Sequence, residues 1–482
     1  MNRINVEALG PGTSRRPLRY PAFQPIASLF FFLLTKILPN MRFKVLAWLS
    51  LFGFGLVTAN GQEGRIAFEQ YTLDNGLRVI LHQDKSTPIV AIAVMYHVGS
   101  KNEDPKRTGF AHFFEHLLFE GSDNIERGEF DKYIQNAGGT LNAYTTADNT
   151  CYFEILPSNQ LSLGLWLESE RMLHAKVDQK GVETQREVVK EEMRQRYDNR
   201  PYGSYQREIL KRMYRKHPYQ WQTIGSMDHL NAATEADYVK FYREFYVPNN
   251  AVIVIAGDFE PRQAREAVSK YFKDIPKREQ PIYRPNIEEP PLGGEVRDTI
   301  FDRVQLPGVF EAYRTPAIGA DDFYAVSMLT QLLSEGQSSR LQKALVDEQQ
   351  LAIQVGNIAY QREGPSFALA YAIANAGQDP QALENAIHAE IGKVQKDGIT
   401  EDEFQKLRNQ IESSFISDNA TMFGIANNLA TYAVLYGDAN LINTEIDKYM
   451  KVTKEDIQRV ARKYFTKDNR VVLYYLPRPS QP

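Results

Sequence analysis

Residues 110–119 read Phe-Ala-His-Phe-Phe-Glu-His-Leu-Leu-Phe, an apolar stretch that contains two histidines and one glutamate. His112 and His116 are four positions apart, so on a helix both imidazoles leave the same face about one turn apart. Polar groups in such an apolar helix need partners. A Zn²⁺ ion would satisfy both imidazoles and leave Glu115 to act on a bound water, so the stretch predicts a metal-binding helix.

The order of the three residues distinguishes this helix from an ordinary core helix. A single histidine on an apolar face is usually a hydrogen-bonded core residue, and that alternative applies here too. However, His-x-x-Glu-His is the inverted form of the His-Glu-x-x-His metalloprotease motif. The motif therefore indicates metal-dependent hydrolysis, with Glu115 as the candidate catalytic residue.

Composition limits the class of protein. The chain has 482 residues, 43% of them hydrophobic and 24% charged, which is typical of a globular protein with two or more domains. Its net charge of -4 argues against a dedicated nucleic-acid binder. The single cysteine, Cys151, excludes an internal disulfide and a cysteine-based zinc site. Histidine and carboxylate remain as the available ligands.

The N-terminal region has the pattern of an export signal. Residues 41–61 combine a basic start, the apolar run Val45–Val57 and the small-residue end Val57–Ala59, as in a signal peptide. Residues 1–40 are interpreted as an upstream extension or a misassigned start, because the apolar patch Ile26–Leu38 is interrupted by a lysine and is short for a membrane span. We expect an exported, most simply periplasmic protein; an extracellular protein or an uncleaved membrane anchor are the alternatives.

Strand and helix signals alternate through the rest of the chain and predict an α+β fold. A peptidase domain is expected over residues 66–272, a Pro-rich linker over 273–297 and a second domain over 298–478. The predicted elements of the first domain are strands over Leu77–His82, Ile89–His97, Thr140–Thr146, Thr150–Leu156 and Ala251–Ala256, and helices over Leu161–His174, Val182–Tyr197 and Ala233–Phe245.

The two domains look like copies of one unit. Thr234–Asp237 and Thr453–Asp456 both read as helix N-caps, at an offset of 219 residues (453 − 234). Leu-Leu-Phe-Glu-Gly at 117–121 is echoed by Leu-Leu-Ser-Glu-Gly at 332–336, an offset of 215 (332 − 117). These matches predict a duplicated α+β unit.

The second copy serves as an internal control for the motif. At the offset of 215, the positions of His112, Glu115 and His116 are occupied by serine, threonine and glutamine. The corresponding residues are Ser327, Thr330 and Gln331. A purely structural role would not require the three motif residues in one copy alone, so the comparison favours a functional site.

A third ligand is expected on the helix Val182–Tyr197, because a catalytic zinc takes three protein ligands and one open position. At about 100° per residue, Glu192 shares a face with Gln185, Val188 and Val189. A carboxylate on an apolar face is costly unless something binds it, whereas the other glutamates of this helix are most simply solvated. Glu192 is therefore the candidate ligand, with Gln185 as a side chain that supports the site.

This combination resembles the pitrilysin/insulinase family of zinc peptidases, in particular bacterial relatives of the mitochondrial processing peptidase beta subunit. The resemblance rests on His112-x-x-Glu115-His116 with Glu192 at 76 positions after His116 (192 − 116), and it covers residues 66–478. It implies two duplicated α/β-roll domains, each a mixed sheet covered by helices, that form one half of a clamshell. It also implies one Zn²⁺ per chain, held by His112, His116 and Glu192, with Glu115 as the base that activates water.

The resemblance also implies where substrate binds. Thr140–Thr146 is similar to the edge strand with which this family pairs an extended peptide by β-augmentation. The implied substrate-binding residues are Asn142, Ala143 and Tyr144. From the residues alone, this segment reads as an ordinary hairpin strand.

Three positions depart from the family pattern. Gln185 stands where the family usually has a glutamate, and it can hydrogen-bond but brings no charge. In the second domain, Val346 and Ile353 stand where the family often has an arginine and a tyrosine that bind substrate and support the transition state. In family heterodimers one chain brings zinc and the other supplies missing groups, so a related chain with that arginine and tyrosine is the expected partner.

The sequence therefore predicts a zinc-dependent endopeptidase or oligopeptidase for extended peptides, as the catalytic subunit of a heterodimer. The alternative is a non-catalytic family member that binds peptides or a partner as a scaffold. The absent arginine and tyrosine favour this alternative, while the complete ligand set beside Glu115 argues against it. A metal carrier without catalysis is a third reading, but it leaves Glu115 unexplained.

Overall fold

Two mixed β-sheets, one in each half of the sequence, organise residues 65–479, the part of the chain that the computed structural model describes. The strand order of the first sheet is β1-β2-β6-β3-β5-β4, in which β2 and β6 are parallel and the other neighbours are antiparallel. Its strands are β1 (Glu69–Thr72), β2 (Arg78–Gln83), β3 (Ile89–Tyr96), β4 (Thr140–Thr145), β5 (Thr150–Pro157) and β6 (Ala251–Gly257).

The helices of the first half lie between these strands and after them. They are α1 (Phe110–Leu117), α2 (Phe130–Asn136), α3 (Leu161–Leu173), α4 (Gln179–Met193), α5 (Tyr205–Met213), α6 (Met227–Ala232), α7 (Glu235–Phe245) and α8 (Pro261–Phe272). The predicted helix Val182–Tyr197 is thus α-helical only to Met193, and it continues as a π-helical segment over Arg194–Asp198. Such π-helical turns are frequent at functional sites.

The second sheet has the strand order β7-β11-β8-β10-β9. Its strands are β7 (Val296–Asp302), β8 (Gly308–Thr315), β9 (Ala352–Tyr360), β10 (Ser366–Ala374) and β11 (Arg470–Pro477). The accompanying helices are α9 (Phe323–Ser334), α10 (Pro380–Asp397), α11 (Glu401–Asp418), α12 (Met422–Thr431), α13 (Leu441–Met450) and α14 (Lys454–Tyr464).

The duplication predicted from the sequence is confirmed by the two sheets. Without β1, the first sheet has the same order and the same parallel and antiparallel pairs as the second. Thr234 and Thr453 cap α7 and α14 through matching capping boxes. The side-chain amides of Asn250 and Asn469 donate to the carbonyls of Phe245 and Tyr464 at 2.7 and 2.8 Å, respectively. The fold is α+β, with each mixed sheet covered by helices.

The two halves exchange helices, which the sequence pattern does not predict. Helix α5 of the first half packs its residues Ile209 and Met213 on the second sheet, in one core with Phe310 of β8. Helix α12 of the second half packs on the first sheet in the same way. Residues 273–295 have no helix or strand, and β7 begins at Val296, inside the expected linker range 273–297. Because α5 and α12 each pack on the sheet of the other half, the two halves share hydrophobic cores.

The extension predicted over residues 1–40 and the signal peptide predicted over residues 41–61 lie outside the described part of the chain. Within residues 65–479, no helix is both long and apolar enough to cross a membrane. The apolar strands are instead core strands: β6 is buried along its whole length, because helices cover both faces of the sheet.

A buried cation supports the end of α1 from the first core. Arg171 of α3 is fully buried, and its guanidinium lies within 4.6 Å of the ring centroids of Phe119, Phe130 and Tyr152. It donates to a carboxylate oxygen of Glu168 at 3.0 Å and to the carbonyl of Leu118, just after α1, at 3.0 Å. A buried guanidinium is stable only with such partners.

A second buried carboxylate, Glu154 of β5, approaches the same guanidinium at 3.5 Å. Burial raises the pKa of Glu154 well above its usual range, and the neighbouring Glu168 carboxylate raises it further. A raised pKa favours the neutral form of Glu154, which lowers the repulsion between the two buried carboxyl groups.

Replacing Arg171 by methionine should lower the free energy of unfolding by about 3 kcal/mol, because Glu168 would remain buried without its cation. Urea denaturation of both proteins measures this difference. Arg262→Met is the matched control, since the side chain of Arg262 is 91% exposed. It should change stability by less than about 0.5 kcal/mol. Equal stability of the Arg171 variant and the wild type would contradict this account of the core.

Candidate metal centre

The first turn of α1 is held by a buried carboxylate. Glu103 accepts hydrogen bonds from the backbone N–H groups of Gly109 and Ala111, both at 2.9 Å, and from the indole of Trp221 at 3.0 Å. Burial raises the pKa of Glu103 to about 8, against the lowering effect of these donors. An acceptor at a helix N-terminus satisfies the unpaired N–H groups, so Glu103 fixes where the motif helix begins.

The turn before α1 requires glycine. Gly109 has a φ of +97°, which side chains with a Cβ rarely adopt. A Cβ at this position would lie 2.6 Å from the carbonyl oxygen of Ile224. The backbone therefore enters α1 along a path that favours glycine, directly before the candidate metal-binding motif.

The apolar residues of α1 orient the histidines. Phe113 and Phe114 are fully buried and stack on Tyr238 and Phe241 of α7. The hydroxyl of Tyr152 donates to the carbonyl of Phe114 at 2.8 Å. With its aromatic face fixed in the core, the helix turns its two histidines toward α4.

The three residues that the sequence analysis selected as ligands come together at the contact of α1 and α4. The Oε2 atom of Glu192 lies 3.5 Å from His112 Nε2 and 3.1 Å from His116 Nε2. The three candidate ligand atoms lie within 4.8 Å of one another. His112 is buried, and His116 and Glu192 are half-buried. Two residues on one helix and one on a neighbouring helix thus form a single cluster.

The donor set fits a zinc ion. The buried Oε2 of Glu192 has no hydrogen-bond partner within residues 65–479, although both imidazoles are close to it. Burial by itself would raise the pKa of the Glu192 carboxyl, but the neighbouring imidazoles of His112 and His116 more than offset this and hold it well below its usual range. Two imidazole nitrogens and one ionised carboxylate, partly open to solvent, are the ligands of a catalytic zinc site.

A second cluster of potential ligands is explained without a metal. Glu311, Glu384 and His388 also group together in the described part of the chain. However, Arg470 Nη1 lies 2.6 Å from His388 Nε2, and Arg297 donates to Glu384 at 2.8 Å. Two guanidinium groups therefore already supply positive charge to this cluster, so it does not fit a metal site.

Glu115 lies on the same helix as both histidines, directly before His116. The residue is half-buried, and no hydrogen bond or ion pair to its carboxylate is found within residues 65–479. Its backbone is fixed by the same helix that holds both histidines. The arrangement places a potential proton acceptor next to a candidate metal site.

The side chain of Gln185 hydrogen-bonds to Glu120 and, within residues 65–479, to neither of the two candidate histidine ligands. Its side-chain amide donates to Glu120, just after α1, at 2.5 Å. Glu120 in turn pairs with Arg127 at 2.9 Å. Gln185 therefore links α4 to the end of the motif helix. The expected apolar face of α4 is also incomplete, because Val189 is fully buried whereas Val188 is 44% exposed beside the site.

The expected substrate strand is an edge strand. Within the described residues, β4 pairs with β5 on one side only. The side-chain oxygen of Asn142 accepts a hydrogen bond from the backbone N–H of Ala143 at 2.8 Å, and Ala143 packs against the core that contains α1. Tyr144 faces the other way and donates to Asn427 of α12 at 2.6 Å. Its side chain is thus directed away from α1.

Val346 and Ile353 lie in the second half. Val346 is part of a π-helical segment, Gln342–Glu348, and Ile353 is in β9 with 54% of its surface exposed. Neither provides the polar side chain that the resemblance implies. One residue was missed by the sequence analysis: Arg196, whose Nη1 lies 2.8 Å from Glu192 Oε1. Its position four residues after Glu192 was the available signal.

Comparisons with known proteins agree with this geometry. The family model described as insulinase (peptidase family M16) matches residues 78–226, and the model of the peptidase M16 inactive domain matches residues 232–411. The zinc protease PqqE of Helicobacter pylori is 33% identical over 412 residues, which are 85% of this chain and 93% of that protein.

Two further proteins show the extent of the similarity. A probable mitochondrial-processing peptidase subunit beta of Arabidopsis thaliana is 24% identical over 82% of this chain and 75% of its own length. The crystal structure of a protease from Helicobacter pylori superimposes with a TM-score of 0.82 at 32% identity, covering 86% of this chain and 100% of that one.

Zinc titration should show which of the two clusters binds zinc: His112, His116 and Glu192, or Glu311, Glu384 and His388. His112→Gln and Glu192→Gln should each weaken zinc binding by more than about a hundredfold, beyond the 10–100-fold effect typical of residues that only support ligands. His388→Gln should leave affinity unchanged, with one zinc per chain. Competition with a fluorescent chelator, after removal of metal by dialysis, measures the zinc affinity and the number of zinc ions per chain. Loss of zinc in His388→Gln with retention in His112→Gln would reverse the assignment.

Proposed function

The chain belongs to the insulinase family, peptidase family M16, and is a zinc metallopeptidase; from this we propose that it hydrolyses extended peptides at the contact of α1 and α4. In this proposal His112, His116 and Glu192 hold one zinc ion and Glu115 is the catalytic base. The observation that supports it most directly is the convergence of the three candidate ligand atoms within 4.8 Å of one another, with Glu115 on the helix that carries both histidines.

Each residue has one task in the proposed reaction. When bound, zinc supplies the Lewis acidity that polarises the peptide carbonyl and acidifies water. Glu115 accepts a proton from the attacking water and delivers it to the leaving amine. Glu103 and Arg171 keep α1 in place at its two ends, so that the distance from Glu115 to the reacting atoms is fixed.

We propose that β4 binds the substrate as an added strand. The Ala143 N–H now donates to the Asn142 side chain, and a carbonyl of the peptide would take over that hydrogen bond. Tyr144 would contribute through its backbone, because its hydroxyl is engaged by Asn427. The Gln185 amide would act indirectly, by fixing α4 against the end of α1.

We further propose that a related chain completes the site as the partner in a heterodimer that closes like a clamshell. Val346 and Ile353 offer no donor for the transition state, so an arginine and a tyrosine would come from that partner. The same proposal includes a domain division into residues 66–272, 273–297 and 298–478. It also includes export through a signal peptide at residues 41–61, to the periplasm in the simplest case.

The absence of the arginine and the tyrosine at positions 346 and 353 favours a second candidate function. A chain that binds peptide and zinc but lacks transition-state donors would serve as a peptide-binding subunit or scaffold. The glutamine at position 185, in place of an acidic residue, also favours this candidate. Glu115, whose carboxylate has no hydrogen-bond or ion-pair partner among the described residues, favours the peptidase instead.

Glu115→Gln should lower kcat for cleavage of quenched oligopeptides by about 10²–10⁴-fold, the usual contribution of a general base. Zinc content should not change, because Glu115 is not one of the three ligands. Glu187→Gln is the matched control on α4, since that side chain is 66% exposed and should leave kcat unaltered. Full activity of Glu115→Gln would exclude the proposed mechanism.

The heterodimer should be visible as activity that depends on mixing. Purified alone, the chain should cleave peptides weakly, and addition of a related chain that has the arginine and tyrosine should raise kcat. Val346→Arg combined with Ile353→Tyr should increase the activity of the chain alone. Rapid turnover by the unmodified chain alone would contradict the partner proposal, whereas zinc binding without cleavage in any mixture would favour the scaffold.

A further inference from the structure

A cavity of about 770 Å³ lies between the two halves, and one of its lining residues, Arg196, pairs with the candidate ligand Glu192. One wall is the segment after α4, with Tyr197 and Tyr205, and the other is the face of the second sheet, with Phe310 and Tyr371. Ile353, the exposed residue at the start of β9, also lines it. The cavity is thus bounded by aromatic and aliphatic side chains from both halves.

The walls are fixed to each other, so the cavity is a formed site. The hydroxyl of Tyr202 donates to the carbonyl of Leu306 at 2.6 Å, and the hydroxyls of Tyr205 and Tyr360 lie 2.9 Å apart. Tyr205 and Phe310 stack with ring centroids 5.2 Å apart. Tyr202 is held at a φ of +60°, which is uncommon for a residue other than glycine. These contacts cross from one half to the other.

The charged residues of the cavity are all positive. Arg196, Arg200 and Arg303 line it, and no aspartate or glutamate is among the lining residues in the described part of the chain. Arg196 is paired with Glu192 at 2.8 Å, which connects the cavity to the metal ligands. Within residues 65–479, no carboxylate lies within ion-pair distance of Arg200 or Arg303. Two guanidinium groups are therefore available to a ligand.

We propose that this cavity is a specificity pocket for an acidic residue of the peptide substrate, flanked by an apolar or aromatic residue. The apolar walls take the neighbouring side chain, and Arg200 and Arg303 take the carboxylate, for which guanidinium is the geometrically matched donor. The proposal rests on the proposed function, because the peptide chain would reach the pocket from the metal centre along Arg196.

Binding, measured apart from cleavage, tests the pocket. The zinc-loaded full chain with Glu115→Gln is titrated with fluorescent ten-residue peptides of alanine and serine that contain one phenylalanine next to glutamate, glutamine or lysine. The glutamate peptide should bind about three- to tenfold more tightly than the glutamine peptide, as expected of partly exposed ion pairs. The lysine peptide should bind most weakly.

Charge reversal identifies the residues responsible. Arg200→Glu combined with Arg303→Glu should invert the order, so that the lysine peptide binds best, and the two glutamine replacements should abolish the preference. Arg262→Glu combined with Lys396→Glu makes the same change in net charge outside the cavity and should keep the original order. Thermal unfolding confirms that each variant is folded.

Several outcomes would overturn the proposal. One is equal binding of the three peptides, and another is no binding of any of them. A third is that the control variant inverts the order of peptide affinities as strongly as the double Arg200 and Arg303 variant does. Failure of the proposed function would look different: the wild type, alone and mixed with the related partner chain, would not cleave the peptides, while the glutamate preference would persist in binding. The pocket and the catalytic mechanism are therefore judged by separate measurements.

Discussion

The packing of α4 against α1 is the contact on which the candidate site depends. It places the carboxylate of Glu192 within 3.5 Å of two imidazole nitrogens that belong to another helix. A carboxylate in this position is destabilised by partial burial unless positive charge or a cation is close to it. The rest of the first half can be understood as support for this contact: Glu103 fixes the start of α1, Arg171 fixes its end, and Gln185 links α4 to the same end.

The second half keeps the fold of the first but not its chemistry. At the positions of the motif, Ser327 and Thr330 are buried in α9, where the Thr330 hydroxyl donates to the Ser327 carbonyl at 2.7 Å. The duplicated helix therefore became an ordinary core helix. The second half nevertheless contributes to the site region, because it provides α12 behind the first sheet and one wall of the cavity that Arg196 lines. Duplication here supplied a scaffold and a pocket wall.

Local spacing predicted most of the ligand cluster. Short segments are enough to recognise the i, i+4 histidines, the intervening Glu115 and a lone carboxylate on an apolar helix face. The constant offset between similar segments predicted the duplication. What could not be predicted depends on long-range packing. No local signal indicates that α5 and α12 are exchanged between halves, or that Val188 is exposed while Val189 is buried. The partner of Gln185 and the direction of Tyr144 likewise depend on neighbours distant in sequence.

The most direct test of the central claim is an anomalous diffraction measurement at the zinc absorption edge, on crystals of the zinc-loaded chain. The account expects one strong peak per chain, bonded to His112 Nε2, His116 Nε2 and an oxygen of Glu192 at about 2.0–2.2 Å. A peak at Glu311, Glu384 and His388 instead, or no peak between α1 and α4, would contradict it.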